Sequence, residues 1–310
     1  MSRWTSKDIP SQTGKLAIVT GGNSGLGFET ALALARAEAS IIIACRDEKK
    51  AEAAVRKIRS RVPGSDMTIG QLDLSSLKSI RAFAQNLISF GAKVDLLINN
   101  AGIMAIPKRR LTEDGFEMQL GVNHLGHYVL TGLLLPALLR APAPRIVTVS
   151  SMAHRTGRMD FSDLQSAKHY RPWTAYGQSK LANLLYAFEL QRKIKAAGTR
   201  LDSLAAHPGY SATNLQAGGP KLDGPSLTAS FLTITNILMA QSAAMGALPT
   251  LYAATSPDAT GGGFYGPSLE IWGYPIKATP SSQALDEKSA AELWCVSEQL
   301  TGITYPLDTQ

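Results

Sequence analysis

Tyr176 and Lys180 stand four residues apart in a stretch patterned as helix over 175–197, so both side chains share one face, one turn apart. A phenol titrates at about 10, which suits neutral-pH proton transfer poorly, and an ammonium beside it favours the phenolate. The pair therefore reads as a proton-transfer centre, and the lysine can also reach ribose hydroxyls. Ser150 and Ser151 end the apolar run Arg145-Ile-Val-Thr-Val. Either hydroxyl can donate to a carbonyl or alkoxide oxygen. Asn123 falls inside a helical region, where asparagine is unfavourable. A residue kept there at a cost suits holding a water for proton relay. Alone, a Tyr-x-x-x-Lys pair carries little information, because helices hold many by chance.

A glycine-rich turn precedes these residues. The run Thr20-Gly21-Gly22-Asn23-Ser24-Gly25-Leu26-Gly27 joins an apolar strand to a helix. Gly21, Gly25 and Gly27 permit a tight turn and close backbone approach. The helix start offers free N–H groups to a pyrophosphate, with Asn23, Ser24 and Leu26 on the same turn. The spacing is G-x-x-x-G-x-G rather than G-x-G-x-x-G. A plain turn is the alternative, and the strand before and helix after favour dinucleotide binding.

The second strand ends Ala44-Cys45-Arg46. NAD-binding folds usually carry an acid near this point to bond the ribose 2′-OH. Arg46 would instead pair with a 2′-phosphate, which points to NADP(H) over NAD(H). The alternative makes Arg46 a surface side chain and gives the ribose to Asp47. Leu72-Asp73-Leu74 closes the third strand, and the Asp73 carboxylate could accept from an adenine amino group or cap the next helix. Asn99-Asn100-Ala101-Gly102 closes the fourth, with the small and amide residues that suit a ligand crevice.

These groups need a scaffold. Apolar runs at 16–20, 40–44, 67–74, 94–98, 145–150, 203–206 and 263–265 read as strands. They alternate with helical patterns at 28–39, 48–59, 77–89, 112–140 and 175–197. Such alternation, with continuous rather than period-two apolar strands, predicts a doubly wound parallel sheet covered on both faces. The expectation is a single-domain α/β Rossmann fold over 1–310, with about seven strands. The 152–174 loop is long for this fold.

Composition narrows the function classes. The chain has 310 residues, 45% hydrophobic and 18% charged, which suits a globular core. Its net charge of +7 is scattered rather than striped, which argues against nucleic-acid binding. The two cysteines, Cys45 and Cys295, have no metal-ligand spacing, and residues 1–10 lack an apolar leader core; a cytoplasmic setting is expected. Residues 224–257 carry no charged side chain, yet Ser, Thr, Asn236, Gln241 and Pro249 interrupt the run, so no membrane span is expected. A buried helix pair, a substrate lid over about 208–257 and a peripheral membrane contact all stay open.

Together the motifs resemble the short-chain dehydrogenase/reductase superfamily from about Leu16 to about Leu300. They occur in the family's order: the glycine turn, Asn99-Asn100-Ala101-Gly102, Asn123, Ser150-Ser151, Tyr176-x-x-x-Lys180 and His207-Pro208-Gly209. The runs Asn123-His-Leu-Gly-His-Tyr128, Ser150-Ser-Met-Ala-His154 and Tyr176-Gly-Gln-Ser-Lys-Leu-Ala-Asn183 are similar to the retinol-dehydrogenase-like and protochlorophyllide-reductase-like branch. Bacterial members opening with Arg3-Trp4 look similar throughout. The resemblance implies hydride transfer between NADP(H) and a carbonyl or alcohol. It makes Tyr176 the general acid/base, with Lys180 tuning it and holding ribose. It chooses Ser151 over Ser150 to orient the substrate oxygen and gives Asn123 a relay water. Pro208 and Gly209 would border the cofactor. The family needs no catalytic metal, so His124, His127 and His154 are expected in packing or solvent roles. The uncharged run suggests an apolar small-molecule substrate. Reduction of a carbon–carbon double bond, or a non-catalytic nucleotide sensor, are the alternatives. Helices 112–140 and 175–197 are candidate oligomer surfaces.

Overall fold

The computed structural model describes residues 3–210 and 241–307. Among these residues the strands are β1 (Leu16–Thr20), β2 (Ser40–Cys45), β3 (Met67–Gln71), β4 (Leu96–Asn99), β5 (Arg145–Val149), β6 (Asp202–Ala206), β7 (Phe264–Pro267) and β8 (Pro275–Lys277). They form one sheet in the order β3-β2-β1-β4-β5-β6-β7-β8. All pairings are parallel except β7 with β8. The order reverses between β1 and β4, and ligands of such sheets bind at the strand carboxyl ends beside that reversal. The sheet thus has eight strands rather than about seven. The additional β8 is a three-residue edge strand, two of them exposed, and so leaves no apolar run to read.

Alternate strand residues feed two cores. Ala17, Val19, Ile41, Ile43 and Ile98 pack under α1 (Gly25–Arg36), α2 (Glu48–Arg59) and α6 (Ala243–Thr255). Ile18, Ile42, Leu97 and Ile146 face the opposite layer, which holds α3 (Leu77–Ser89), α4 (Gly126–Leu138), α5 (Pro172–Ala196) and α7 (Glu287–Thr301). Both faces are covered, which is why the strands read as continuous apolar runs.

Local chemistry sets the helix limits. The Asp47 carboxylate caps α2 and Ser76 caps α3. Pro172 opens α5, three residues earlier than the apolar pattern suggests, because a first-turn proline loses no hydrogen bond. The single helix expected over 112–140 is divided. Gly115, with φ of 85°, breaks its start, and helical geometry begins at Met118–Leu120. A π-turn at Gly121–Leu125 follows, and then α4.

The uncharged stretch also divides. Its 243–255 part is α6, a buried helix of the first core. The rest of the expected lid region, residues 211–240, lies outside the described residues. No described helix is long and apolar enough to cross a membrane.

Candidate active site

The glycine turn lies between β1 and α1 as a cradle. Gly21 and Gly25 take φ of 65° and 55°, conformations that favour glycine. A Cβ on Gly27 would lie 2.4 Å from the Gly21 carbonyl oxygen and 2.6 Å from Asn100 Nδ2. No side chain larger than hydrogen fits there, so the helix start approaches the turn closely. Ser24 caps α1 in extended geometry, yet its hydroxyl accepts from none of the helix N–H groups. Those donors and the positive end of the helix face the turn, as a pyrophosphate requires. Asn23 and Ser24 are half-buried on this turn, and Leu26 is buried beneath it.

Arg46 projects from the end of β2, 74% exposed, with its guanidinium 3.6 Å from the Asp73 carboxylate. Asp47 is engaged elsewhere: it accepts the Lys50 N–H at 3.0 Å and pairs with the Lys50 ammonium at 2.9 Å. Asp73 sits past the end of β3, which stops at Gln71, and accepts from the Ser75 N–H and hydroxyl. Leu74 beside it is buried. Asn100 donates its side-chain amide to the Thr20 carbonyl at 2.8 Å and fastens the ends of β4 and β1 together. The Asn100 and Ala101 N–H groups both donate to Thr20 Oγ at 2.9 Å. Pro208 and Gly209 follow β6, where the Gln241 amide holds the Pro208 carbonyl at 2.7 Å.

The proton-transfer candidates converge at the end of β5. Tyr176, Lys180 and Asn123 are buried, and Ser151 is half-buried. The Ser151 hydroxyl accepts from the Ala153 N–H at 3.2 Å and lies near enough to the Tyr176 phenol to draw that phenol's pKa down. Ser150 points away and donates to the Lys180 carbonyl at 2.7 Å. The Lys180 ammonium lies 5.8 Å from the Tyr176 ring centre and donates to the Val149 carbonyl at 3.1 Å. A Cβ on Gly102 would lie 3.2 Å from Asn123 Oδ1 and 3.4 Å from Lys180 Nζ, so these three residues meet at one spot.

Burial, not the neighbouring ammonium, dominates the phenol. It pushes Tyr176 up to about 12, with the Ser151 hydroxyl opposing. The same burial pulls Lys180 down to about 8. At neutral pH the phenol keeps its proton, and the lysine is easily converted to a neutral amine.

Other contacts were not legible in the sequence. The Asn123 side chain is engaged at both ends: Oδ1 accepts from the Ile103 N–H at 2.8 Å, and Nδ2 donates to the Ile103 carbonyl and Ser179 Oγ. With both side-chain protons taken, a further ligand of this residue must donate, to its main-chain carbonyl or to the second lone pair of Oδ1. Gln119, one turn earlier, accepts the Ala105 N–H at 2.7 Å. The two amides stitch the loop after β4 to the π-turn, which explains a mid-helix asparagine. The three histidines have separate partners. His124 meets Ser297, His127 meets Thr20 and Asn123, and His154 meets the Ser151 carbonyl and the Ser281 N–H.

Known proteins resemble this arrangement along nearly the whole chain. The sequence model of the short chain dehydrogenase family matches residues 15–221. Human retinol dehydrogenase 13 is 42% identical over 295 residues, covering 94% of this chain and 86% of the relative. Mouse retinol dehydrogenase 14 is 41% identical, with 94% and 86% covered. A crystal structure of an uncharacterised Mycobacterium paratuberculosis protein is similar with a TM-score of 0.82 and 45% identity, covering 98% of this chain and 100% of that one. A Beutenbergia cavernae structure described as an NAD(P)-dependent gluconate 5-dehydrogenase with bound NADP has a TM-score of 0.62 and 26% identity, covering 83% and 96%.

Proposed function

The chain belongs to the short-chain dehydrogenase/reductase family, NAD(P)-using oxidoreductases of small molecules, and from that premise we propose that it passes a hydride between NADP(H) and an apolar carbonyl or alcohol, with Tyr176 moving the proton. One observation carries the reading. A buried phenol, its pKa held back by the Ser151 hydroxyl, lies beside a buried lysine whose ammonium is 5.8 Å from its ring centre.

The nicotinamide supplies the hydride chemistry when bound. The Gly21–Gly27 turn and the start of α1 fit its pyrophosphate, with Gly27 free of any Cβ that would block close approach. Asn100, Ala101 and Gly102 border the same crevice, with Pro208 and Gly209 at its far side. Lys180 would hold the nicotinamide ribose. Ser151 donates to the substrate oxygen and stabilises the charge that develops there. Tyr176 donates its proton to that oxygen during reduction and regains it through Lys180 and a water on the Asn123 carbonyl.

NADP(H) preference rests on Arg46, the exposed cation at the end of β2, with Asp47 engaged in capping. Reversing the charge in Arg46→Glu should raise the KM for NADPH about tenfold or more and leave that for NADH nearly unchanged. Equal effects on both cofactors would contradict the assignment. The free thiols of Cys45 and Cys295 support a reducing, cytoplasmic setting.

A panel of carbonyls and alcohols with NADPH and NADP⁺ tests the reaction. Medium-chain aldehydes and all-trans-retinal should outpace small charged carbonyls. A preference for charged substrates would remove the apolar reading. Saturated carbonyl products retaining their C=O group would replace it with double-bond reduction.

A further inference from the structure

We infer that His127 is a positioning residue, the central link of a directed hydrogen-bond chain that runs from the cofactor crevice to the Asn123 carbonyl. The inference rests on the proposed roles of Tyr176 and Asn123 and names a group those roles leave unused.

The direction of the chain follows from which atoms can donate. His127 is 1% exposed and lies on α4, four residues after Asn123. Its Nδ1 is 3.0 Å from the Asn123 carbonyl oxygen, which can only accept, so Nδ1 carries the proton. Burial pulls the ring down to about 4, with the charge of Lys180 adding to the effect, so it is neutral at ordinary pH. Nε2 therefore has a lone pair and must accept. Its partner is Thr20 Oγ at 3.0 Å. That hydroxyl already receives the Asn100 and Ala101 N–H groups on its two lone pairs. Its one proton goes to His127 rather than to the Ile98 carbonyl, the longer contact at 3.2 Å. The chain thus reads Asn100 and Ala101 N–H to Thr20 Oγ, Thr20 O–H to His127 Nε2, and His127 Nδ1–H to the Asn123 carbonyl.

Both ends of this chain matter to the proposed reaction. Thr20 fixes the backbone lip formed by Asn100 and Ala101. Ile103 and Ser179 take both side-chain N–H donors of Asn123, so this residue can hold a relay water only through an acceptor, and its main-chain carbonyl is the acceptor that His127 touches. One lone pair of that carbonyl takes the histidine proton, which fixes the direction of the other. The π-turn belongs to the same device: the Gly126 N–H bonds back to the Gly121 carbonyl, five residues away, instead of following the α-helical ladder. A side chain at 127 can then reach a carbonyl of its own helix and still touch the end of β1. A purely space-filling residue would need neither a fixed tautomer nor two polar partners.

Three substitutions separate the two ends. An asparagine amide can reproduce the Nδ1–H donor, a glutamine amide can reproduce the Nε2 acceptor, and leucine reproduces neither. With NADPH and the aldehyde most readily turned over in the panel, His127→Leu should lower kcat about tenfold to a hundredfold and increase its solvent deuterium isotope effect. It should also weaken NADPH binding, followed by fluorescence titration. His127→Asn should recover most of kcat and the isotope effect but not the binding. His127→Gln should recover binding but not kcat. Should the leucine variant fail to fold, the two amide variants still carry the test. In the unaltered enzyme, ¹⁵N NMR of labelled histidine should show the Nδ1–H tautomer of His127 throughout neutral pH.

An Nε2–H tautomer would overturn the inference, as would wild-type kcat, isotope effect and binding in all three variants. Tyr176→Phe, run in parallel, separates this failure from that of the site. Retained turnover there would overturn the proposed site and this inference together. Lost turnover there, beside unaffected His127 variants, would overturn this inference alone.

Discussion

Two regions of the α4–α5 layer bury tyrosines, and only one is built for chemistry. In one, Tyr128, Tyr186 and Tyr305 pack with Trp294, and burial raises all three phenols far above their ordinary value. Their hydroxyls end on fixed partners. Tyr128 donates to the Ile303 carbonyl, Tyr305 to the Tyr128 carbonyl, and Tyr186 bonds Tyr305. At the crevice, Tyr176 is also removed from water, but a half-buried hydroxyl lies beside it and its neighbour is a buried lysine. Burial alone does not mark a reactive phenol. What marks it is a proton with somewhere to go: an exchangeable partner on one side and a titratable base on the other.

Lys180→Met should break the comparison most sharply. Turnover should fall by about a hundredfold or more, because the phenol loses its route for recovering a proton. Thermal stability should move the other way. A base whose folded pKa is depressed costs stability at every pH below that pKa, and the cost fades as pH rises toward the unfolded value. For Lys180 this window runs from about 8 to its ordinary 10.5. The methionine variant should therefore melt a few degrees higher than the parent at neutral pH, and the advantage should shrink across that window. A lower melting temperature at pH 7 would show that the lysine is structural.

Gly132→Ala should do the reverse in the aromatic region. A Cβ there would lie 2.6 Å from Tyr305 Cε1 and 2.7 Å from Ile303 Cγ2. Such overpacking costs about 1–3 kcal/mol. Denaturant unfolding should show that loss while kcat per folded molecule stays unchanged. A changed kcat would mean that the two regions are coupled. The smallest effect should come from Tyr305→Phe, which removes the bonds to Tyr186 and the Tyr128 carbonyl. A stability loss of about 1–2 kcal/mol is expected, again with kcat unchanged.

This contrast was half legible in the sequence. The parallel sheet showed because doubly covered strands are apolar throughout, and the glycine turn showed because Gly21, Gly25 and Gly27 have no substitute at those backbone angles and distances. The Tyr176–Lys180 spacing showed because helices repeat every turn. The aromatic region did not, since Tyr128, Tyr186, Trp294 and Tyr305 are scattered over the chain and meet only through tertiary packing. Thr20 and His127 stayed hidden for the same reason: they are 107 positions apart in the chain and joined by one hydrogen bond. The expectation that the lysine would lower the phenol missed the desolvation of both groups, which depends on what α5 packs against. The short edge strand β8 and the break at Gly115 likewise depend on local geometry that apolar periodicity does not encode.

The central claim is that Tyr176 carries the proton. The direct measurement is single-turnover reduction by Tyr176→Phe, with NADPH binding followed by fluorescence in the same samples. The phenylalanine keeps the ring and its packing against Trp173 and removes only the hydroxyl. The rate should fall by about 10²–10⁴-fold while NADPH affinity stays within a few-fold of the parent. A rate close to that of the parent, with NADPH bound, would contradict the claim.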